Sequence, residues 1–111
     1  MKALFRTANN RVTFEVDSPT AKELFAQLAS IQEVFDAERK CGMPDCGSVD
    51  IRYATRERHG FEFFELQCQA CRARFCYGQS RDGANLFPKR YGEQGALPNS
   101  GWSRYNAEEE K

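Results

Sequence analysis

No stretch of this sequence approaches the roughly 20 consecutive apolar residues that a membrane-spanning helix requires, so an integral membrane protein is not expected. Met1 to Phe14 contain neither an apolar run nor a small-residue cleavage site, so no secretory leader is expected either. Histidine occurs once, at His59, and neither a paired-carboxylate arrangement nor an activated nucleophile accompanies it. The chain is therefore expected to be non-enzymatic and cytoplasmic. The net charge is zero over 111 residues. With 41% hydrophobic and 13% aromatic residues, it is too apolar to be disordered throughout.

Neutral overall, the chain is polarised along its length. Residues 1–38 hold four basic against six acidic residues, residues 39–105 eleven against seven, and residues 106–111 one against three. A basic middle between acidic ends is either ordinary surface charge or the footprint of an anionic partner.

The five cysteines are the most informative feature. In a reducing compartment, paired cysteines read as metal ligands rather than disulfides. Four residues separate Cys41 from Cys46, 21 separate Cys46 from Cys68, and two separate Cys68 from Cys71. Each close pair can supply two ligands from one tight loop, and the long gap accommodates a two-stranded hairpin that brings the loops together. Tetrahedral zinc is satisfied by four thiolates at about 2.3 Å. One structural zinc ion on Cys41, Cys46, Cys68 and Cys71 is expected. Gly42 and Gly47 give the first loop freedom to bend, and Met43-Pro44-Asp45 must be taken up as a small bulge. Cys76 is left as a strand residue or a competing ligand, and His59 as a turn residue.

Periodicity around this quartet predicts an α+β protein. Ala3–Thr7 and Arg11–Val16 read as a hairpin around Asn9-Asn10. Ser18 is a candidate N-cap with Pro19 in the first helical position and Glu23 in the first turn. Ala21, Leu24, Phe25, Leu28, Ile31, Val34 and Phe35 then make an apolar stripe on a helix from Pro19 to about Asp36. The stripe docks on the hairpin or on a partner. Val49–Thr55, Phe61–Gln67 and Ala73–Tyr77 alternate as three short antiparallel strands of a zinc ribbon, with Glu57–Gly60 as a turn. The hairpin and amphipathic helix are expected to pack on this ribbon. The expected organisation is thus a strand–strand–helix region at 1–38, a ribbon at 39–79 and an irregular Gly/Pro-rich tail at 80–111, frayed at its end.

Arginines and aromatics interleave through the ribbon and tail. Bases stack on aromatic faces while guanidinium groups hold phosphates, a mixture suited to single-stranded nucleic acid. The candidate contacts are Arg52, Tyr53, Arg56, Arg58, Arg72, Arg74, Tyr77, Lys89, Arg90, Tyr91 and Trp102. A duplex reader usually offers a basic recognition helix, whereas Lys22 is the only basic residue on this helix. Against this, strand aromatics such as Phe61, Phe63, Phe64 and Phe75 are more often core than platform. The large tail residues either wrap back over the ribbon or dock on a partner.

The cysteine quartet, the strand–helix N-terminus and the tail motifs Leu86-Phe87-Pro88-Lys89-Arg90 and Leu97-Pro98-Asn99-Ser100-Gly101-Trp102 resemble small zinc-ribbon proteins of phages and prophages. The likeness extends to about Tyr105, and the wide first cysteine pair departs from the usual spacing. The resemblance implies a role in phage DNA replication or recombination inside a bacterial host cell, without naming binding residues. Single-stranded DNA is the expected partner. The alternative is a protein-interaction module that binds a phage or host protein through the tail or the helix face.

Overall fold

The computed structural model of the chain describes residues 1–8 and 10–105. Asn9 and the Asn106–Lys111 end, where fraying is expected, lie outside the described residues. The chain divides into two compact units, Met1–Arg39 and Lys40–Lys111.

In the first unit, β1 (Lys2–Arg6) and β2 (Thr13–Asp17) pair antiparallel, with Ala3 opposite Val16 and Phe5 opposite Phe14. Side chains alternate across a strand, so these four share a half-buried face while Leu4 points away, 73% exposed. Asn10 adopts φ 61° in the connecting turn, a left-handed conformation that asparagine tolerates. The helix α1 (Ala21–Phe35) begins later than the Ser18-Pro19 pair suggests. The Ser18 N–H donates to the Met1 carbonyl, so Ser18 still belongs to the hairpin ladder. Its buried hydroxyl donates to Gln27 Oε1 at 2.7 Å, and Thr20 is the N-cap instead, its Oγ1 accepting from the Glu23 N–H at 3.2 Å. Leu24, Leu28, Ile31 and Val34 are half-buried, and Phe35 meets Phe14 with ring centroids 4.9 Å apart. The stripe thus docks on the hairpin, but Phe25 stands 76% exposed.

In the second unit the three expected strands are β3 (Ile51–Arg58), β4 (Phe61–Cys68) and β5 (Arg74–Gln79), antiparallel in the order β3-β4-β5. The turn narrows to His59-Gly60, both at positive φ, and the register pairs Arg58 with Phe61. Two-residue turns of this hand match the twist of the flanking strands. β3 starts two residues after Val49, which is 69% exposed at the exit of the first cysteine loop.

The tail is irregular yet tied to the sheet. β6 (Leu86–Pro88) and β9 (Trp102–Ser103) share the second edge of β5, β9 beside Arg74-Phe75 and β6 beside Tyr77–Gln79. Between them lie the two-residue strands β7 (Tyr91–Gly92) and β8 (Gly95–Ala96) and a 3-10 turn at Pro98–Gly101. Gly101 closes that turn at φ 107°, where a Cβ would fall 2.5 Å from the Lys89 carbonyl oxygen.

Strand register then sorts the side chains. Ile51 opposes Cys68, Tyr53 opposes Leu66, Leu66 opposes Phe75, and Phe75 opposes Trp102. Those residues share one face, and Ile51, Leu66, Cys68, Phe75, Tyr77 and Trp102 are buried on it. Arg52, Arg56, Arg58, Phe61, Phe63, Glu65, Gln67, Arg74 and Cys76 occupy the opposite face. No helix among the described residues is long and apolar enough to cross a membrane.

Candidate metal centre and the arginine face

Two loops deliver the cysteines. In the first, the Cys41 N–H donates to the Ser48 carbonyl at 2.8 Å and the Cys46 N–H to the Met43 carbonyl at 3.1 Å. The second bond closes the Met43-Pro44-Asp45 bulge, and Gly47 at φ 72° turns the chain out of it. In the second, the Cys68 N–H donates to the Ala73 carbonyl at 2.9 Å and the Arg72 N–H to the Cys68 carbonyl at 3.0 Å, with Arg72 at φ 64°. The β3–β4 hairpin joins the loops because Ile51 pairs with Cys68 at its base.

All four sulfurs lie within 4.8 Å of one another. Cys41 Sγ is 3.6 Å from Cys71 Sγ, and Cys46 Sγ is 3.7 Å from Cys68 Sγ, each contact linking one loop to the other. A tetrahedron with metal–sulfur bonds of about 2.3 Å has edges of about 3.8 Å, whereas a disulfide needs about 2.05 Å. The spacing fits one ion held by four thiolates and excludes two disulfides. The four cysteines are all free.

The metal-free thiols differ in acidity. Burial pushes Cys41 up to about 12, reinforced by its neighbours Cys71 and Cys68. Burial also raises Cys68, but N–H groups of Cys71 and Ala70 and the thiols of Cys46 and Cys71 outweigh it and bring Cys68 down to about 7. Cys68 is thus more readily available as a thiolate near neutral pH than Cys41. Cys76, by contrast, is not part of the cluster. It sits half-buried on β5, its thiol 3.5 Å from Glu65 Oε2.

Trp102 caps the first loop. Its indole lies so close to Gly42 that a Cβ there would be 2.2 Å from Trp102 Cδ1. The ring is 2% exposed and tilted against Phe75 at 5.8 Å between centroids. Arg104, two residues on, donates to Asp45 Oδ2 at 3.0 Å, tying the tail to the same loop.

The candidate nucleic-acid contacts fall into three groups. Arg52, Tyr53, Arg72, Lys89 and Tyr91 are exposed. Arg56, Arg58 and Arg90 are half-buried, with the Arg90 guanidinium over the ring of fully buried Phe75 at 5.1 Å. Arg74, Tyr77 and Trp102 are buried. As folded, Tyr77 and Trp102 offer no open ring face for a base: the tail folds back and covers the sheet face on which both stand.

Arg56 braces an interior carboxylate and keeps only part of its side chain in solvent. Its Nε is 3.4 Å from Glu65 Oε1, and the Glu65 side chain is fully buried. Gln67 Nε2 donates to the same oxygen at 2.9 Å, and the Arg56 guanidinium lies 4.9 Å from the centre of the Phe63 ring. Sequence reading assigned no role to Glu65, because nothing in a lone strand glutamate distinguishes a buried brace from a surface charge. It also weighed Phe61 toward the core, yet Phe61 is 69% exposed. The available signal was position, Phe61 lying directly after the hairpin turn.

No family model, curated protein or solved structure matches this chain. Its function must be argued from the geometry.

Proposed function

We propose that the protein is a non-enzymatic zinc-ribbon module that binds single-stranded nucleic acid, DNA in the first instance, in phage DNA replication or recombination. Zinc is the ion of choice because a closed set of four thiolates at tetrahedral spacing suits a soft or borderline divalent ion and leaves no open position for substrate. The bound ion supplies folding energy, and Cys41, Cys46, Cys68 and Cys71 hold it.

One observation carries the binding reading: strand register places Arg52, Arg56, Arg58 and Arg74 on one sheet face, together with Phe61 and Phe63. The apolar core occupies the other face; on this one Glu65 and Arg74 are buried, while Arg52 and Phe61 stay exposed. Arg52, Arg58, Arg72 and Lys89 contact phosphates, while Phe61 and Tyr91, 69% and 72% exposed, offer rings for unpaired bases. Arg56 and Arg74 support this surface from beneath.

Fluorescence anisotropy of the zinc-loaded protein with labelled single-stranded DNA, duplex DNA and RNA at two salt concentrations tests the proposal. Salt-sensitive binding that favours single strands is expected, because phosphate neutralisation releases counterions. Absence of binding to every nucleic acid at low salt would overturn it.

A second reading rests on the first unit. None of its hydrophobic side chains is fully buried among the described residues, and Phe25 and Leu4 remain open. A shallow groove of about 410 Å³, lined by Val16, Ala26, Gln27, Ser30 and Ile31, runs between β2 and α1. On this reading the unit docks a phage or host protein. A stoichiometric complex that survives high salt and nuclease would select it.

A further inference from the structure

We infer that a donor-lined cleft beside the second cysteine loop is a binding site for a single phosphate oxyanion. The inference deepens the nucleic-acid reading by assigning one phosphodiester of the strand to a defined place.

The cleft has a volume of about 370 Å³ and is lined by Gln67, Gln69, Arg72, Arg74 and Tyr105, with Cys68 at its base. Among the described residues, no carboxylate lines it. Guanidinium groups are donors only, and an amide nitrogen carries two donors. Gln67 Nε2 uses one of its donors on Glu65 Oε1, and Gln69 Nε2 uses one on the Gln67 carbonyl. Each amide therefore keeps a further N–H, and the lining presents positive charge and hydrogen-bond donors together.

The donors are also held in place. Gln67 and Arg74 are a cross-strand pair on β4 and β5, and Arg74 is only 9% exposed. Arg72 leaves the backbone from a left-handed position in the loop, and its guanidinium lies 5.4 Å from the centre of the Tyr105 ring. Donors fixed before binding lose little side-chain freedom on binding, and a guanidinium fork matches the geometry of phosphate oxygens. The volume exceeds one phosphate group, leaving room for a flanking sugar. Tyr105 flanks that space.

A competing role for the two arginines is to offset the excess negative charge of four thiolates on a divalent ion. That role predicts loss of metal when Arg72 is neutralised and no specific anion affinity. Gln69 separates the two, because it is exposed and carries no positive charge to offset the thiolates. Gln69→Glu places a carboxylate in the cleft without removing a positive charge.

The test uses the full zinc-loaded chain labelled with ¹⁵N, following the arginine Nε–Hε resonances. It is titrated with sodium phosphate, with a dinucleoside monophosphate and with sodium chloride, all at matched ionic strength. Saturable shifts at Arg72 with a phosphate species and not with chloride are expected. Affinity should fall about tenfold or more in Arg72→Gln and in Gln69→Glu, since a charge-assisted hydrogen bond is lost or opposed. Zinc content is measured on every sample, and if Arg72→Gln loses metal, Gln69→Glu decides.

Saturation by the dinucleoside monophosphate supports the site as a nucleic-acid contact. Saturation by inorganic phosphate alone supports the site and assigns it to a free phosphate, against the nucleic-acid reading. Shifts that follow chloride equally, or affinity unchanged in both variants, overturn the site. In that case, oligonucleotide binding by anisotropy would leave the broader reading standing.

Discussion

The indole of Trp102 rests on the backbone of Gly42, at a distance that leaves no room for a side chain at position 42. The contact joins the last strand of the tail to the first cysteine loop, so the tail is part of the metal centre's support. Gly42→Ala forces either a buried ring or the loop to move. Overpacking a well-packed interior costs about 1–3 kcal/mol, and a value in the upper part of that range is expected from urea denaturation. Gly78→Ala is the control. A Cβ there would meet Phe87 Cζ at 2.3 Å, but Phe87 is 45% exposed and free to swing out, so the loss should be smaller.

Metal removal should unfold the ribbon. The two loops are brought together by the β3–β4 hairpin, but four thiols packed without an ion lose the bonds that hold them. Structural zinc in comparable small sites is worth about 10–16 kcal/mol of apparent binding free energy near pH 7. Addition of a chelator is expected to abolish the near-ultraviolet signal of buried Trp102 and Tyr77, and returning one equivalent of zinc should restore it. A chelated protein that keeps this signal would show that the sheet stands without metal.

Cys76 gives a pH dependence with a definite sign. Burial, reinforced by the Glu65 carboxylate, raises its thiol above the ordinary 9.0. The folded state therefore keeps its proton in a range where the unfolded chain releases it. Stability from this group is fully present below the unfolded value and declines as pH rises above it. Urea midpoints measured at about pH 8 and about pH 10 should show a smaller fall in Cys76→Ala than in the wild type. In the zinc-loaded protein Cys76 should also alkylate slowly at neutral pH, while the four ligands are protected until chelator is added.

Aromatic substitutions should separate core from platform. Trp102→Ala removes a buried ring and is expected to cost about 3–5 kcal/mol of stability, with any loss of nucleic-acid binding following from unfolding. Phe61→Ala should leave thermal stability nearly unchanged and weaken single-strand binding, by about 1–3 kcal/mol if one base stacks there. Tryptophan emission should be that of a buried indole and insensitive to added oligonucleotide. Strong quenching by single-stranded DNA would instead place Trp102 at the interface.

Glu65 and Arg56 form an ion pair whose acid is fully buried. Glu65→Ala leaves Arg56 without its counter-charge and is expected to destabilise the ribbon by about 3 kcal/mol, discounted because Arg56 keeps some solvent contact. The double variant Arg56→Met, Glu65→Leu should recover most of that loss, measured by a double-mutant cycle in urea.

The features readable from the amino-acid sequence were those set by short-range chemistry. The spacing of Cys41, Cys46, Cys68 and Cys71 implied one four-ligand centre, and the sulfurs do lie at tetrahedral distances. Alternation in Arg11–Val16 and Phe61–Gln67, and the three-and-four spacing of Leu24, Leu28, Ile31 and Val34, located the strands and the helix. Each of these patterns is complete within a few residues of chain, because strand and helix periods are local properties. The start of α1 was not local in this sense. Ser18 had the residue type of a cap, but its backbone was already engaged by Met1 across the hairpin.

Only the tertiary structure decided which aromatics are core. Trp102 and Tyr77 looked like surface rings because their polar edges permit it, and Phe61 looked like core because it alternates with the strand. Their burial depends instead on where the tail returns, along the far edge of β5 and over one face of the sheet. The same return sets Trp102 against Gly42, and cross-strand register pairs Gln67 with Arg74. These contacts join positions far apart in the chain. Residue type and spacing carry no term for such long-range coverage, which is why the cysteine cluster was legible in advance and the burial of Tyr77 and Trp102 was not.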